Sequence, residues 1–427
     1  MVNIEEVLSV RTRVGLAVTL VAVIGLIAAA AAFARPSAGT IDIGWLGDKT
    51  GPTASSQLPS LHGLETAIKY QNSLGGVGGK QINLIEKDDA YNPTTELSLL
   101  KSLINDNHVP VIMGLGQSTG YASAVPLLVQ NKVIGQSMQS ALKLTSSPFN
   151  PWLFAGTCSY ADQVDIAIAY EMKHLGLKSL KGVPVGVLAI QVASGQEVID
   201  ETTRLVTKLG GTVVAENLPP ATITADVQVQ DLQAKGVKFV ILHHSLSGGI
   251  VTLRSMDKFN MNIPIAVMSG VTEAPVFTTS PYSQVKNMVG VNCFDPSYLA
   301  KTAAAKKIAA LGTQYGIASA TDLTEANFTG GWTNGMLLIQ ALKNAKGDYS
   351  SAGIKKGYEA IKNFDPAGGM TPPLSYGSKC HIAWPNPRPY TYNFKKQQFQ
   401  PVGTWAQWNS ADTKPYAPVG TCGVKKA

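Results

Sequence analysis

Short apolar runs alternate with amphipathic stretches along most of this chain, and the alternation occurs in two successive sets. Strand candidates recur at roughly 25–30 residues with helical patterns between them, the signature of parallel α/β sheets. In the first set, Ile41–Leu46 reads as a strand, followed by the turn Asp48-Lys49-Thr50-Gly51-Pro52. Leu61, Leu64 and Ile68 then recur at helical spacing, and the glycine-rich Gly75–Gly79 ends that helix. Strands are predicted at Gln81–Glu86, Val109–Met113, Val133–Ser137 and Trp152–Ala155. Asn92-Pro93 marks a helix start, a cap side chain followed by proline in the first turn. In the second set, a helix from about Asp162 to Gly176 precedes a strand at Val183–Ile190. Val198, Thr202, Leu205 and Leu209 line a helix stopped by Gly210-Gly211. Strands follow at Thr212–Glu216, Phe239–Leu242 and Ile263–Met268, with helical stretches at 225–235 and 249–259. Residues 297–361 read as mostly helical, and Pro372–Trp408 as short strands and loops. The fold class expected is α/β, two Rossmann-like lobes with parallel sheets.

Composition agrees with that reading. A chain of 427 residues exceeds one ordinary core, and 45% hydrophobic against 15% charged residues excludes global disorder. The net charge of +7 is mild, and Lys306-Lys307, Lys355-Lys356 and Lys425-Lys426 are short runs that read as solvated faces. No nucleic-acid partner is expected. Arg11 and Arg13 precede a charge-free stretch, Val14 to Phe33, and Ala32-Phe33-Ala34 follows the small-x-small cleavage pattern. Residues 1–34 therefore read as a secretory signal peptide, with an uncleaved membrane anchor as the alternative. The four cysteines, Cys158, Cys293, Cys380 and Cys422, allow three pairings in an exported chain, and none has CxxC spacing.

In open parallel sheets, ligands bind beyond the carboxyl ends of the strands. The segments there are Asp48–Gln57, Gly114–Thr119, Gln136–Ser140, Gln191–Gly195, His243–Ser247 and Ser269–Glu273. They are rich in small hydroxyl and amide residues. Such loops let helix N-termini and backbone N–H groups face a ligand, although every sheet of this kind needs helix caps at the same places.

Three runs carry a resemblance: Ile43-Gly44-Trp45-Leu46-Gly47-Asp48-Lys49-Thr50-Gly51-Pro52, Gly75-Gly76-Val77-Gly78-Gly79-Lys80-Gln81-Ile82, and Glu86-Lys87-Asp88-Asp89-Ala90-Tyr91-Asn92-Pro93. With Phe154-Ala155-Gly156-Thr157 and Asp162-Gln163 after them, they resemble the substrate-binding proteins of branched-chain amino-acid-type ABC transporters, the type I periplasmic-binding fold. The resemblance implies two lobes joined by strand hinges and closing over a small solute. It implies residues 40–157 and 293–371 for lobe 1, 158–292 for lobe 2, and a tail, 372–427, returning towards lobe 2. It implies ligand contacts from Ser55, Ser56, Gln117, Ser118, Thr119, Met138, Gln139 and Ser140 on lobe 1. From lobe 2 it implies Ser194, His244, Ser245, Thr272 and Glu273. It further implies delivery to an ABC permease, a periplasmic or extracytoplasmic location, a monomer, and no cofactor. Two hinge strands running side by side would pair Cys158 with Cys293, leaving Cys380 with Cys422.

The chain departs from the amino-acid-binding pattern. Ser55-Ser56-Gln57 stands where an aromatic residue often follows the Gly-Pro turn, Ser194-Gly195 where the family has a tyrosine, and Glu273 is the only acid in its loop, a few positions late. A buried ammonium without its carboxylate is costly. The expected ligand is a small polar or carboxylated organic molecule.

Enzymatic signatures are missing. Gly79-Lys80 lacks the glycine and Ser/Thr of a phosphate loop, since Leu74 and Gln81 stand there. There is no H-E-x-x-H and no G-x-S-x-G. Adjacent His243 and His244 at a strand end should point to opposite faces and chelate one metal poorly, and the same alternation separates Asp88 from Asp89. No metal site and no catalytic residue is expected. The competing readings are a membrane-anchored sensor and an α/β hydrolase-type enzyme.

Overall fold

The computed structural model describes residues 39–138, 141, 149–384, 387–396 and 398–408. The predicted signal peptide, Gln139, Ser140 and Cys422 lie outside the described residues. The first set of elements runs β1 (Thr40–Gly47), α1 (Ala54–Ser73), β2 (Gln81–Asp88), α2 (Pro93–Asn105), β3 (Val111–Gly114), α3 (Ser118–Asn131), β4 (Ile134–Ser137) and β5 (Leu153–Ala155). The second runs α4 (Tyr160–His174), β6 (Pro184–Ile190), α5 (Ala193–Lys208), β7 (Thr212–Leu218), α6 (Asp226–Ala234), β8 (Phe239–His243), α7 (Leu246–Lys258), β9 (Ile265–Val267), the short α8 (Pro275–Thr279) and α9 (Tyr282–Val285), and β10 (Met288–Asn292). Helices α10 (Ala303–Gln314), α11 (Ala326–Asn344) and α12 (Ser351–Glu359) follow, then the hairpin β11 (Arg388–Asn393) and β12 (Gln398–Pro401).

Two sheets result. The first has the order β2-β1-β3-β4-β5, all parallel. The second has the order β12-β11-β10-β9-β8-β6-β7 and is parallel from β7 to β10, with the tail hairpin added antiparallel at its edge. Each parallel portion repeats one winding rule: the first strand sits between the second and the third. The order therefore reverses between β1 and β3 in one sheet and between β6 and β8 in the other, and ligand crevices form at such switch points.

Helices α10, α11 and α12 pack on the first sheet although they follow the second in sequence; Ile308, Phe328, Trp332, Leu338 and Tyr358 share a buried cluster with Ile43 and Met113. Leu374, Tyr376 and Trp384 belong to that cluster as well, before the chain returns to the second sheet as β11. The helices α1 and α11 cross closely. A Cβ on Gly331 would stand 1.7 Å from the Ser60 carbonyl oxygen, and one on Gly63 would stand 2.1 Å from that of Phe328, so the crossing depends on glycine on both sides.

Local signals act as the sequence indicates at most element ends. Asn92 caps α2 by accepting from the N–H groups of Thr94 and Thr95, with Pro93 at the first position. Helix α3 is the element the apolar pattern passes over, since Gly120 and Pro126 interrupt it. Its proline stands inside the helix, which closes on Lys132 in the left-handed region.

The chain passes from one sheet to the other after β5, after β10 and before β11. At the first two passages Cys158 and Cys293 are joined by a disulfide, with Cα atoms 6.1 Å apart. Cys380 is disulfide-bonded too; Cys422, its expected partner, lies outside the described residues. At the third passage Arg388 bonds the buried Asp295 carboxylate, which also accepts from the Tyr390 hydroxyl at 2.7 Å. Arg388 lies over the Trp405 ring, 3.9 Å from its centroid. Among the described residues no helix is long and apolar enough to cross a membrane.

Candidate functional site

The two switch points face one another across a cavity of about 120 Å³. Leu46 pairs with Gly114 at the end of β1 and β3, and Ala189 pairs with His243 at the end of β6 and β8. Trp45, Gly114, Gly116 and Met138 line the first wall, with Ser56 and Gln57 from the opening turn of α1. Ile190, Ser194, His243, His244 and Ser245 line the second. Thr157, Asn292, Phe294 and Asn327 line the cavity near the passages between the sheets.

Acids near the first wall hold its turns. Asp48 accepts from the Gly51 N–H at 2.5 Å and from the Thr53 N–H and hydroxyl at 2.8 and 2.7 Å. Those bonds close the Gly-Pro turn and set the start of α1. Gln57 returns the favour, accepting the Asp48 N–H at 3.0 Å and donating to Thr53 Oγ1 at 2.8 Å. Asp88 accepts from the N–H groups of Lys49 and Ala90 and from the Thr50 hydroxyl. Asp89 closes the following turn on Tyr91. Oxygens of Asp48, Asp88 and Asp89 lie within 4.8 Å of one another, the spacing of a cation site. Asp48 and Asp88 each already accept three hydrogen bonds, so the cluster is explained as turn chemistry.

On the second wall, both histidines are neutral. His244 Nδ1 accepts the Ser245 N–H at 2.9 Å, so its proton is on Nε2, which faces the Pro219 carbonyl at 3.1 Å. Burial pushes its pKa down to about 4, and burial together with His244 pushes that of His243 down to about 3. His243 Nε2 lies 3.1 Å from Ser194 Oγ, a serine–histidine contact that the sequence does not announce. No group meets His243 Nδ1 among the described residues. Among the described residues the contact therefore lacks the third member that orients a catalytic histidine, and burial lowers the basicity of the imidazole.

The walls touch at their rims. The Ser194 N–H donates to Ser118 Oγ at 3.1 Å, the Leu246 N–H to Ser56 Oγ at 3.3 Å, and the Ser247 hydroxyl to the Pro52 carbonyl at 3.4 Å. The two rims are thus bridged by hydrogen bonds beside the cavity. Among the described residues no Lys, Arg, Asp or Glu lines it.

Of the expected contact residues, Ser56, Met138, Ser194, His244 and Ser245 line the cavity, and Ser118 forms the rim contact. Ser55 and Thr119 are exposed on the first turns of α1 and α3. Gln117 is buried at the start of α3, outside the lining. Two further expected residues are engaged in hydrogen bonds within the fold. The Thr272 hydroxyl is taken up by the Val267 and Met268 carbonyls and the Val291 N–H, tying β9 to β10. Glu273 turns away from the cavity and caps α11, accepting the N–H groups of Ala326 at 2.6 Å and Asn327 at 3.2 Å. Burial, with Glu325 nearby, raises its pKa well above the ordinary range. Sequence reasoning missed Trp45, Tyr91, Tyr160, Asn292, Phe294 and Asn327 as lining residues. Trp45 and Tyr91 lie within the runs that carry the resemblance; nothing local marks Asn327.

The fatty acid ABC transporter substrate-binding protein from Thermomonospora curvata superposes with a TM-score of 0.78 at 18% identity, over 90% of this chain and 96% of that one. A branched chain amino acid ABC transporter protein from Thermus thermophilus with bound valine gives 0.78 at 16% identity, over 88% and 98%. A solute binding protein of an ABC transporter from Rhodopseudomonas palustris, in complex with 3,4-dihydroxy benzoic acid, gives 0.71 at 19% identity, over 85% and 96%. At these identities the likeness is one of fold. No curated protein sequence matches the chain. The family profile described as periplasmic binding protein matches residues 40–383, so the chain belongs to the periplasmic binding protein family.

Proposed function

We propose that the protein is an exported solute-binding protein that captures a small polar or carboxylated molecule by hinge closure and presents it to an ABC permease. The observation that carries this reading is the cavity, walled by both switch points and bridged by hydrogen bonds between the two rims. A ligand touching both walls favours the closed state by the difference in its affinity for closed and open forms. The solved neighbours named above include a fatty acid ABC transporter substrate-binding protein, a protein with bound valine and one in complex with 3,4-dihydroxy benzoic acid, which supports a small organic solute here.

Lobe 1 comprises residues 40–157 and the helices after 293, and lobe 2 comprises 158–292 with the tail hairpin on its sheet. The leader directs export and the mature chain acts as an extracytoplasmic monomer with its cysteines paired. A thermal-shift screen of amino acids, carboxylic acids, amides and polyamines tests the reading, because a solute bound only by the folded state raises Tm. At least one solute is expected to do so without being consumed. Turnover of the hit would replace the reading with an enzymatic one.

A further inference from the structure

Five helices begin at the cavity. Helices α1, α4, α5, α7 and α11 each place a cap or first-turn residue on its wall, namely Ser56, Tyr160, Ser194, Ser245 and Asn327. The shortest of the five, α7, has 13 residues. Every such end carries partial positive charge from its aligned peptide groups, and an anion is stabilised there while a cation is not. Among the described residues no acidic side chain lines the wall to offset this field. Asp48 is spent on its turn and Glu273 on α11.

His243 adds an independent observation. It is 3% exposed and lines the cavity, and its Nδ1 has no partner among the described residues. Ser118 Oγ approaches Ser194 Oγ at 3.5 Å, which leaves the Ser194 proton for His243 Nε2. The imidazole proton then sits on Nδ1, a buried donor that calls for an acceptor. The cavity also sets the size. An apolar cavity of about 150 Å³ holds a benzene ring, so this one suits a single ring or a short branched chain.

We propose that the cleft selects a small monocarboxylate without an ammonium group, its carboxylate facing the helix N-termini and accepting from His243 Nδ1. This rests on the solute-binding reading and narrows it. An α-ammonium would be buried among positive helix ends with no carboxylate to meet it.

Calorimetric titration of the mature protein with matched pairs tests the proposal: 3-methylbutanoate against valine, 4-methylpentanoate against leucine, phenylacetate against phenylglycine, and 3-phenylpropanoate against phenylalanine. At least one carboxylate is expected to bind, and its amino partner to bind about 100-fold more weakly or worse, the cost of an unpaired buried charge. An amino acid that binds as tightly as its deamino partner overturns the proposal and leaves solute capture standing. If none of the pairs binds, the proposal fails; only silence across the broad solute screen would remove solute capture too. His243→Phe should weaken the bound carboxylate about 10- to 100-fold, the worth of a hydrogen bond to a charged group. If that variant does not fold, His243→Gln restores a donor and should recover part of the affinity. Unchanged affinity in a folded His243→Phe protein overturns the role given to Nδ1.

Discussion

The two walls of the cavity are built from the same winding rule but are finished differently. On the lobe 1 wall, polar side chains hold one another. Asp48, Gln57 and Thr53 close a ring of hydrogen bonds, and the turn they fix carries the start of α1. On the lobe 2 wall, the serine–histidine chain ends at His243 Nδ1, which has no partner among the described residues. The difference teaches a division of labour under the proposed function: the first wall serves as a frame, and the second reads the ligand. Their supports differ as well. The first leans on the glycine crossing of α1 and α11, and the second belongs to a sheet completed by the tail hairpin.

The largest expected effect breaks the support of the second sheet. Arg388→Ala leaves Asp295 buried and unpaired, and removal of one member of such a pair costs about 3–5 kcal/mol. Urea unfolding checks it; a loss under about 1 kcal/mol would mean that the tail is not integral to lobe 2. Next comes the frame of the first wall. Gly331→Ala drives a methyl into the Ser60 carbonyl and should cost about 1–3 kcal/mol, more if α1 cannot shift. Stability equal to the wild type would show that α1 and α11 are free to separate.

Ser194→Ala sharpens the comparison in the other direction. It removes a rim hydroxyl and the partner of His243 Nε2, so solute affinity should fall about 3- to 10-fold, with Tm little changed. A drop in Tm without a change in affinity would reassign Ser194 to the frame.

The pH dependence of stability separates the walls by sign. His243 and His244 have pKa values below the ordinary 6.5 in the folded protein. The unfolded chain therefore binds protons first, and their contribution is full above pH 6.5 and declines as pH falls towards 4. Glu96, behind the first wall, is pushed up to about 9 by burial and by Asp89. The folded protein keeps a proton that the unfolded chain gives up near 4.5, so this contribution is full in acid and declines as pH rises towards 9. Glu96→Gln should flatten the alkaline limb of a Tm–pH profile and His243→Gln the acid limb. A variant that leaves its limb unchanged refutes the corresponding assignment.

The strand and helix pattern was legible because it is local: apolar runs, glycine stops and the Asn92-Pro93 start act over a few residues. Helix α3 was not, since Gly120 and Pro126 break its pattern and its packing compensates. The site was half legible. Loops beyond the strand ends could be located, and Ser194 and His244 follow from that rule. The hydrogen bond of Glu273 to the α11 N-terminus was not legible because that partner lies 53 residues away and acts only in the folded chain. His243 is a lining residue by virtue of its register with Ala189 and its approach to Ser194 across 49 residues. Neither relation leaves a mark in the sequence.

Closure of two walls over one solute is the central claim, and solution scattering tests it most directly. The radius of gyration of the mature protein should fall when a solute that raises Tm is added to saturation, because the rim contacts Ser194–Ser118 and Leu246–Ser56 then form throughout the population. A solute bound at one per chain with an unchanged radius of gyration would contradict capture by closure.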